Sequence, residues 1–246
     1  MPRHARQKSE TGYLHLITRG IGRQALFESR EDYRMYLSLL ERCSRETDVA
    51  ICAYCLMENH VHLLVRDERD HTALMMKKLG VSYARYFNRK YERTGHLFQD
   101  RYLSEPIRDE PYLLTVFRYI LNNPRKAGIC AAKNYEWSSY RLYGRTAALV
   151  DTSLLAALIG DAEAYAAFVA AANDDECLEY DRSRLSDKRA RRIVQEQLGH
   201  DSGTALQALG RKERDAQLRA LLDRGLSIRQ IERLTGISRG IVQKVR

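Results

Sequence analysis

No stretch of this 246-residue chain approaches the roughly 18 consecutive apolar residues that a membrane-spanning helix needs. The opening residues, MPRHARQKSETGY, are charged and hold no apolar core of the kind a secretory signal carries, so a cytoplasmic protein without a membrane partner is expected. Cysteine is scarce and odd in number. The five, Cys43, Cys52, Cys55, Cys130 and Cys177, are scattered, which fits a reducing compartment and not a disulfide framework. Cys52 and Cys55 form a C-x-x-C, but no second pair exists to complete a zinc site, and two small buried side chains are the expectation. No internal repeat is visible. Residues 151–181 contain neither Lys nor Arg.

What is present is ample apolar content, 44%, for one large core or two modest ones, and an uneven net charge of +9. Residues 1–150 carry 25 Lys and Arg against 17 Asp and Glu, residues 151–181 none against 8, and residues 182–246 carry 16 against 7. Two basic blocks therefore flank an acidic spacer. Basic modules point to a polyanion, nucleic acid being the commonest, because Lys and Arg contacts to phosphates supply most non-specific affinity. A solvated basic face would give the same count.

Hydrophobic periodicity predicts a strand at 12–20, a helix to about Thr47, and two adjacent strands, VAICAYCLM and HVHLLVRD, turning at Glu58-Asn59. A helix follows at 72–93, then an extended piece, YLSEPIR. The next helix runs from about Glu110 to Asn122, with Asp109 as N-cap, Pro111 in its first turn and Pro124 as a stop signal. The order β-α-β-β-α-β-α predicts an α+β, two-layer sandwich with a mainly antiparallel sheet over residues 1–148. Residues 149–181 read as an acidic helical connector.

Residues 182–246 end in three short helical patterns. The first carries Leu218, Leu221 and Leu222 and stops at Gly225; the second is capped by Ser227, with Ile228, Ile231 and Leu234 inward; after Gly236, Ser238 caps a third with Ile241 and Val245 inward. This is the layout of a helix-turn-helix DNA-binding domain, and its last helix would offer Arg239, Gln243, Lys244 and Arg246 to bases and phosphates. Any small three-helix bundle shares that spacing.

The stretch CLMENHVHLLV, residues 55–65, sets His60 and His62 on one strand face with Cα atoms roughly 6.5–7 Å apart. Both imidazoles can reach one ion. A hydrogen-bonded core histidine is the competing reading, and spacing alone does not decide between them.

ENHVHLLV resembles the His-hydrophobic-His (HUH) motif of the single-tyrosine, IS200-like transposases. YARYFNRKYERTGHLFQDRY, YLLTVFRYILNNPRKAG and YEWSSY are similar to the rest of that domain, in order, over about residues 12–145. The resemblance is strongest to the REP-associated branch, which acts on short palindromic repeats. It implies an HUH, ferredoxin-like fold, Tyr119 as nucleophile, and Asn123 as third metal ligand beside His60 and His62. The rival tyrosines, Tyr83, Tyr86, Tyr102 and Tyr112, lack a matching ligand type four residues on. Two imidazoles and an amide oxygen suit Mg²⁺ or Mn²⁺ better than a closed structural zinc. Glu58 and Asn59 could orient the histidines or simply make the turn. Arg19, Arg85, Arg89 and Lys90, with Tyr83 and Tyr86, suggest a basic and aromatic array for single-stranded DNA, and Arg101 matches a family position.

The implied activity is metal-dependent DNA cleavage and strand transfer on single-stranded or hairpin DNA through a covalent 5′-phosphotyrosine, by a monomer or homodimer. A DNA-binding regulator with an idle catalytic domain is the alternative. A phosphodiesterase hydrolysing through water is a third.

Overall fold

The computed structural model describes residues 8–145, 149–171, 177–178, 187–198 and 203–245. Two units emerge, Met1–Leu178 and Glu179–Arg246. The first begins with β1 (Tyr13–Arg19), α1 (Arg30–Thr47), β2 (Ala50–Met57), β3 (His60–Arg66) and α2 (Thr72–Lys90). It continues through β4 (Leu103–Pro106), α3 (Glu110–Leu121) and the single turn α4 (Asn123–Lys126). The four strands lie in the order β2-β3-β1-β4 with every neighbouring pair antiparallel. The α+β class and antiparallel sheet expected from the order of elements are what the molecule has.

Local chemistry sets the element ends. Asp32 accepts the Ser29 amide at 2.9 Å and starts α1, while Asp48, at φ 55°, ends it. Asp109 accepts the Tyr112 amide at 2.8 Å and starts α3, with Pro111 in the first turn where no amide is needed. At the β2–β3 turn the carbonyl of Glu58 accepts the Leu26 amide at 2.7 Å, and that of Asn59 accepts the Gly20 amide at 3.0 Å. Gly20 cannot carry a side chain there, because a Cβ would sit 2.2 Å from the Gln24 carbonyl oxygen. Helix α2 closes at Lys90, short of the expected residue 93, because Glu92 turns to φ 50°.

Strand alternation sorts the side chains onto two faces. Leu16, Val61, Leu63 and Val65 pack with Tyr36, Leu40, Leu79 and Tyr83 of α1 and α2. On the opposite face the register sets Arg19 across from His60, Ile17 across from His62 and His15 across from Leu64. Leu64 packs there with Leu113, Val116, Phe117 and Ile120 of α3.

The acidic segment is not a free connector. Helices α5 (Ser153–Ile159) and α6 (Ala162–Ala170) bury Leu155, Tyr165 and Val169 in the α3 core. Asn122 donates to the Val169 carbonyl at 2.8 Å, and the Tyr165 hydroxyl donates to the Tyr140 carbonyl at 3.0 Å. The physical reason is that the two helices are themselves apolar, Glu163 being the one acid in them, and their apolar residues share a core with α3. The first unit therefore runs to Leu178, about 30 residues beyond the expected boundary at 148. Among the described residues no single helix is long and apolar enough to cross a membrane.

The second unit holds α7 (Asp187–Leu198), α8 (Arg211–Asp223), α9 (Ile228–Thr235) and α10 (Arg239–Lys244). Ile193, Leu218, Leu221, Ile231, Ile237, Val242 and Val245 share its core. Ser227 and Gln230 form a capping box on α9, and Gly236, at φ 71°, ends that helix. Val242 is the inward residue of α10 together with Val245, and Ile241, expected inside, is only partly covered.

Candidate active site on the histidine face of the sheet

His60 and His62 lie side by side on β3 with ring centroids 5.1 Å apart, and the Tyr119 ring of α3 meets His62 edge-on at 5.7 Å within the same chain. Asn123, one turn later and buried, donates its amide nitrogen to the Tyr119 carbonyl at 3.0 Å, which assigns its oxygen to the other side of the amide. His60 Nδ1 is 2.7 Å from Asn59 Oδ1, which can only accept, so that nitrogen donates. Burial, and then the neighbouring His15, His60 and Lys126, push the His62 imidazole well below its ordinary value. A neutral imidazole is the ligand form.

Among the described residues no group of three His, Cys, Asp or Glu side chains forms a metal cage. The candidate donors are two imidazoles, with the Asn123 amide oxygen as the expected third. Such a set would fit a divalent ion that keeps open positions for water and a phosphate oxygen better than a closed structural site. Tyr119 is 2% exposed, and the Lys126 ammonium stands 4.2 Å above its ring. That contact is a cation–π pair.

The other expected contacts separate. Asn59 orients His60, whereas Glu58 is exposed and serves the turn through its carbonyl. Arg19 shares the histidine face, at the end of β1 opposite His60. Arg85, Arg89, Lys90, Tyr83 and Tyr86 belong to α2, which covers the other face of the sheet, so the proposed array is split. Tyr83 is fully buried and donates its hydroxyl to the Leu26 carbonyl, and Tyr86 donates to Asp32 at 2.9 Å. Lys90 is paired with Asp32 at 2.7 Å and Glu31 at 2.8 Å. These three build the fold. Arg85, Arg89 and Arg101 are exposed, as are Arg239, Gln243 and Lys244, with Arg239 paired to Glu232. Arg246 lies outside the described residues.

Sequence reasoning missed His15, Glu105 and Lys126. His15 Nε2 is 3.0 Å from His62 Nδ1, and the rings of His15 and Tyr119 meet edge-on at 6.0 Å. One signal was visible: His15 interrupts an otherwise apolar strand, in phase with Arg19.

Residues 8–123 match the profile of the family described as IS200-like transposases. The match lies wholly within the first unit, which is similar to those transposases. A REP-associated tyrosine transposase, solved bound to a REP hairpin, has the same fold at a TM-score of 0.52 and 16% identity, covering 73% of this chain and 99% of that one. A Deinococcus radiodurans R1 protein provisionally described as a transposase aligns at a TM-score of 0.35 and 20% identity, covering 49% of this chain and 97% of that one. No curated protein matches. The matched stretch includes His60, His62, Tyr119 and Asn123.

Proposed function

We propose that the first unit cuts and rejoins single-stranded or hairpin DNA in the cytoplasm, with Tyr119 as nucleophile. His60, His62 and Asn123 are the residues that would hold Mg²⁺ or Mn²⁺. The observation that carries this reading is the meeting of two imidazoles and a tyrosine ring on one sheet face, with His62 and Tyr119 5.7 Å apart. The bound ion would supply Lewis-acid polarisation of the scissile phosphate.

The chain's own groups account for the rest. Tyr119 Oη attacks phosphorus, its proton passes to solvent, and the P–O3′ bond breaks. The 3′-oxygen leaves, taking a proton from water, and the 5′-phosphate stays on the tyrosine. Lys126, above the ring, sets a positive charge beside the tyrosine as it attacks and later departs. A second 3′-hydroxyl attacking the phosphotyrosine restores the phosphodiester and frees Tyr119, so no nucleotide cofactor is consumed. In the second unit, the exposed Arg239, Gln243 and Lys244 support duplex binding by α10.

Incubation with a single-stranded hairpin and Mn²⁺, followed by denaturing electrophoresis, tests this. A covalent protein–DNA adduct that Tyr119→Phe abolishes is expected, with DNA affinity nearly unchanged. Free 5′-phosphate ends without adduct would instead indicate hydrolysis through water, and DNA binding without cleavage would indicate a regulator.

A further inference from the structure

His15 is fully buried on β1, on the same sheet face as His62, and its Nε2 is 3.0 Å from His62 Nδ1. Both rings are enclosed, at 0% and 3% exposure, where a charged imidazole would lose its hydration, so the neutral forms are the ones this site holds. Two neutral imidazoles at hydrogen-bond distance share one proton, and that proton has two possible owners. If His62 Nδ1 holds it, His62 Nε2 keeps its lone pair and can act as a ligand. If His15 Nε2 holds it, His62 carries its proton on Nε2 and cannot.

The structure supplies a tie-breaker. Glu105, on β4, pairs directly across from His15 in the sheet, and its Oε2 is 4.0 Å from His15 Nδ1. That nitrogen is buried and, among the described residues, makes no hydrogen bond. A carboxylate only accepts, so it favours a proton on His15 Nδ1 and repels a lone pair there. With the proton on Nδ1, His15 Nε2 must accept, and His62 Nδ1 must donate. Glu105 is itself held: the Tyr112 hydroxyl donates to Oε2 at 2.8 Å and the Leu178 amide at 3.2 Å. Tyr112 lies on the helix that carries Tyr119, and Leu178 ends the acidic segment that packs against that helix.

We propose that His15, polarised by Glu105, is a positioning residue that holds His62 in the Nδ1-protonated tautomer, with the Nε2 lone pair available. The inference concerns which nitrogen holds a proton at constant charge. Its value to catalysis rests on the metal-binding reading of His60, His62 and Asn123, but the tautomer itself does not. The arrangement also gives the acidic segment a task, because the Leu178 amide is one of the two donors that place the carboxylate.

The test uses the full-length, metal-free protein, with Glu105→Ala as the main variant, since Glu105 is partly exposed and its loss spares the core. Long-range ¹⁵N–¹H correlation spectra report the His62 tautomer. The proposal expects Nδ1–H in the wild type and a mixture of tautomers in Glu105→Ala. Calorimetric titration with Mn²⁺ should then show affinity weakened about tenfold or more in that variant. Tyr119→Phe should leave both readouts unchanged. A wild-type His62 protonated on Nε2, or a Glu105→Ala protein with unaltered tautomer and unaltered Mn²⁺ affinity, would overturn the proposal. If the wild type binds no Mn²⁺ while the tautomer responds to Glu105 as stated, the metal reading fails and the positioning inference stands.

Discussion

The two faces of the sheet each bury a polar cluster, and the clusters are built on opposite principles. On the α1/α2 face the Asp32 carboxylate is fully enclosed and saturated. It receives the amides of Glu28 and Ser29 at 2.9 Å, the hydroxyls of Tyr86 and Tyr91 at 2.9 and 2.7 Å, and the Lys90 ammonium at 2.7 Å. On the α3 face His15, His62 and Tyr119 are buried together, and His15 Nδ1 makes no hydrogen bond among the described residues. A buried charge that is paired and fully hydrogen-bonded is a structural device. Buried imidazoles grouped around a tyrosine ring mark a candidate site. The contrast separates the part of the molecule that holds the fold from the part proposed to do chemistry.

The largest expected effect falls on the chemical side. His62→Ala should eliminate divalent-ion dependence together with cleavage while the thermal transition shifts little. Calorimetry with Mn²⁺ and an adduct assay check this, and retained Mn²⁺ binding would return His62 to the role of a core residue. On the structural side the pattern inverts. Asp32→Ala takes one of two carboxylates from the Lys90 ammonium and leaves the hydroxyls of Tyr86 and Tyr91 and two helix-start amides without their acceptor, so it should cost about 3 kcal/mol of stability in urea unfolding. Mn²⁺ affinity should be unchanged.

A third effect is smaller and depends on pH. Burial pushes the Asp32 carboxyl up, but the Lys90 ammonium, the Tyr91 hydroxyl and the amides of Glu28 and Ser29 outweigh it and hold it at about 2, below the usual 3.8. A carboxyl depressed in the folded state adds stability that is present above its unfolded value and is lost as pH falls through the folded one. The stability gap between wild type and Asp32→Asn should therefore be constant above about pH 5 and shrink between pH 4 and pH 2. A gap that widens on acidification would contradict the ion-pair account. The smallest effect belongs to α10, where Lys244→Ala should flatten the salt dependence of duplex affinity by about one unit of slope. An unchanged slope would make the second unit an interaction module.

How far the sequence could be read follows from the same two faces. The His60/His62 phase, the Asp109 cap and the Ser227 and Gly236 signals are local, and each was visible in a few residues. Lys90 and Tyr83 were assigned to DNA because an exposed basic helix and a packed one look alike until the partner is known, and Asp32 lies 58 residues away from Lys90 in the chain. His15 and Glu105 were missed for the same reason, since their pairing depends on β1 and β4 meeting across 90 residues. The acidic segment deceived by composition: its charge suggested a spacer, whereas its apolar residues share a core with α3.

The central claim is that the tyrosine meeting the histidines on the α3 face, and none of those packed on the α2 face, attacks DNA. Trapping the adduct formed on a single-stranded hairpin with Mn²⁺, digesting it with nuclease and protease, and locating the residual 5′-nucleotide by mass spectrometry tests it directly. The account predicts the nucleotide on the peptide containing Tyr119. A nucleotide on Tyr83, Tyr86, Tyr102 or Tyr112 would contradict it.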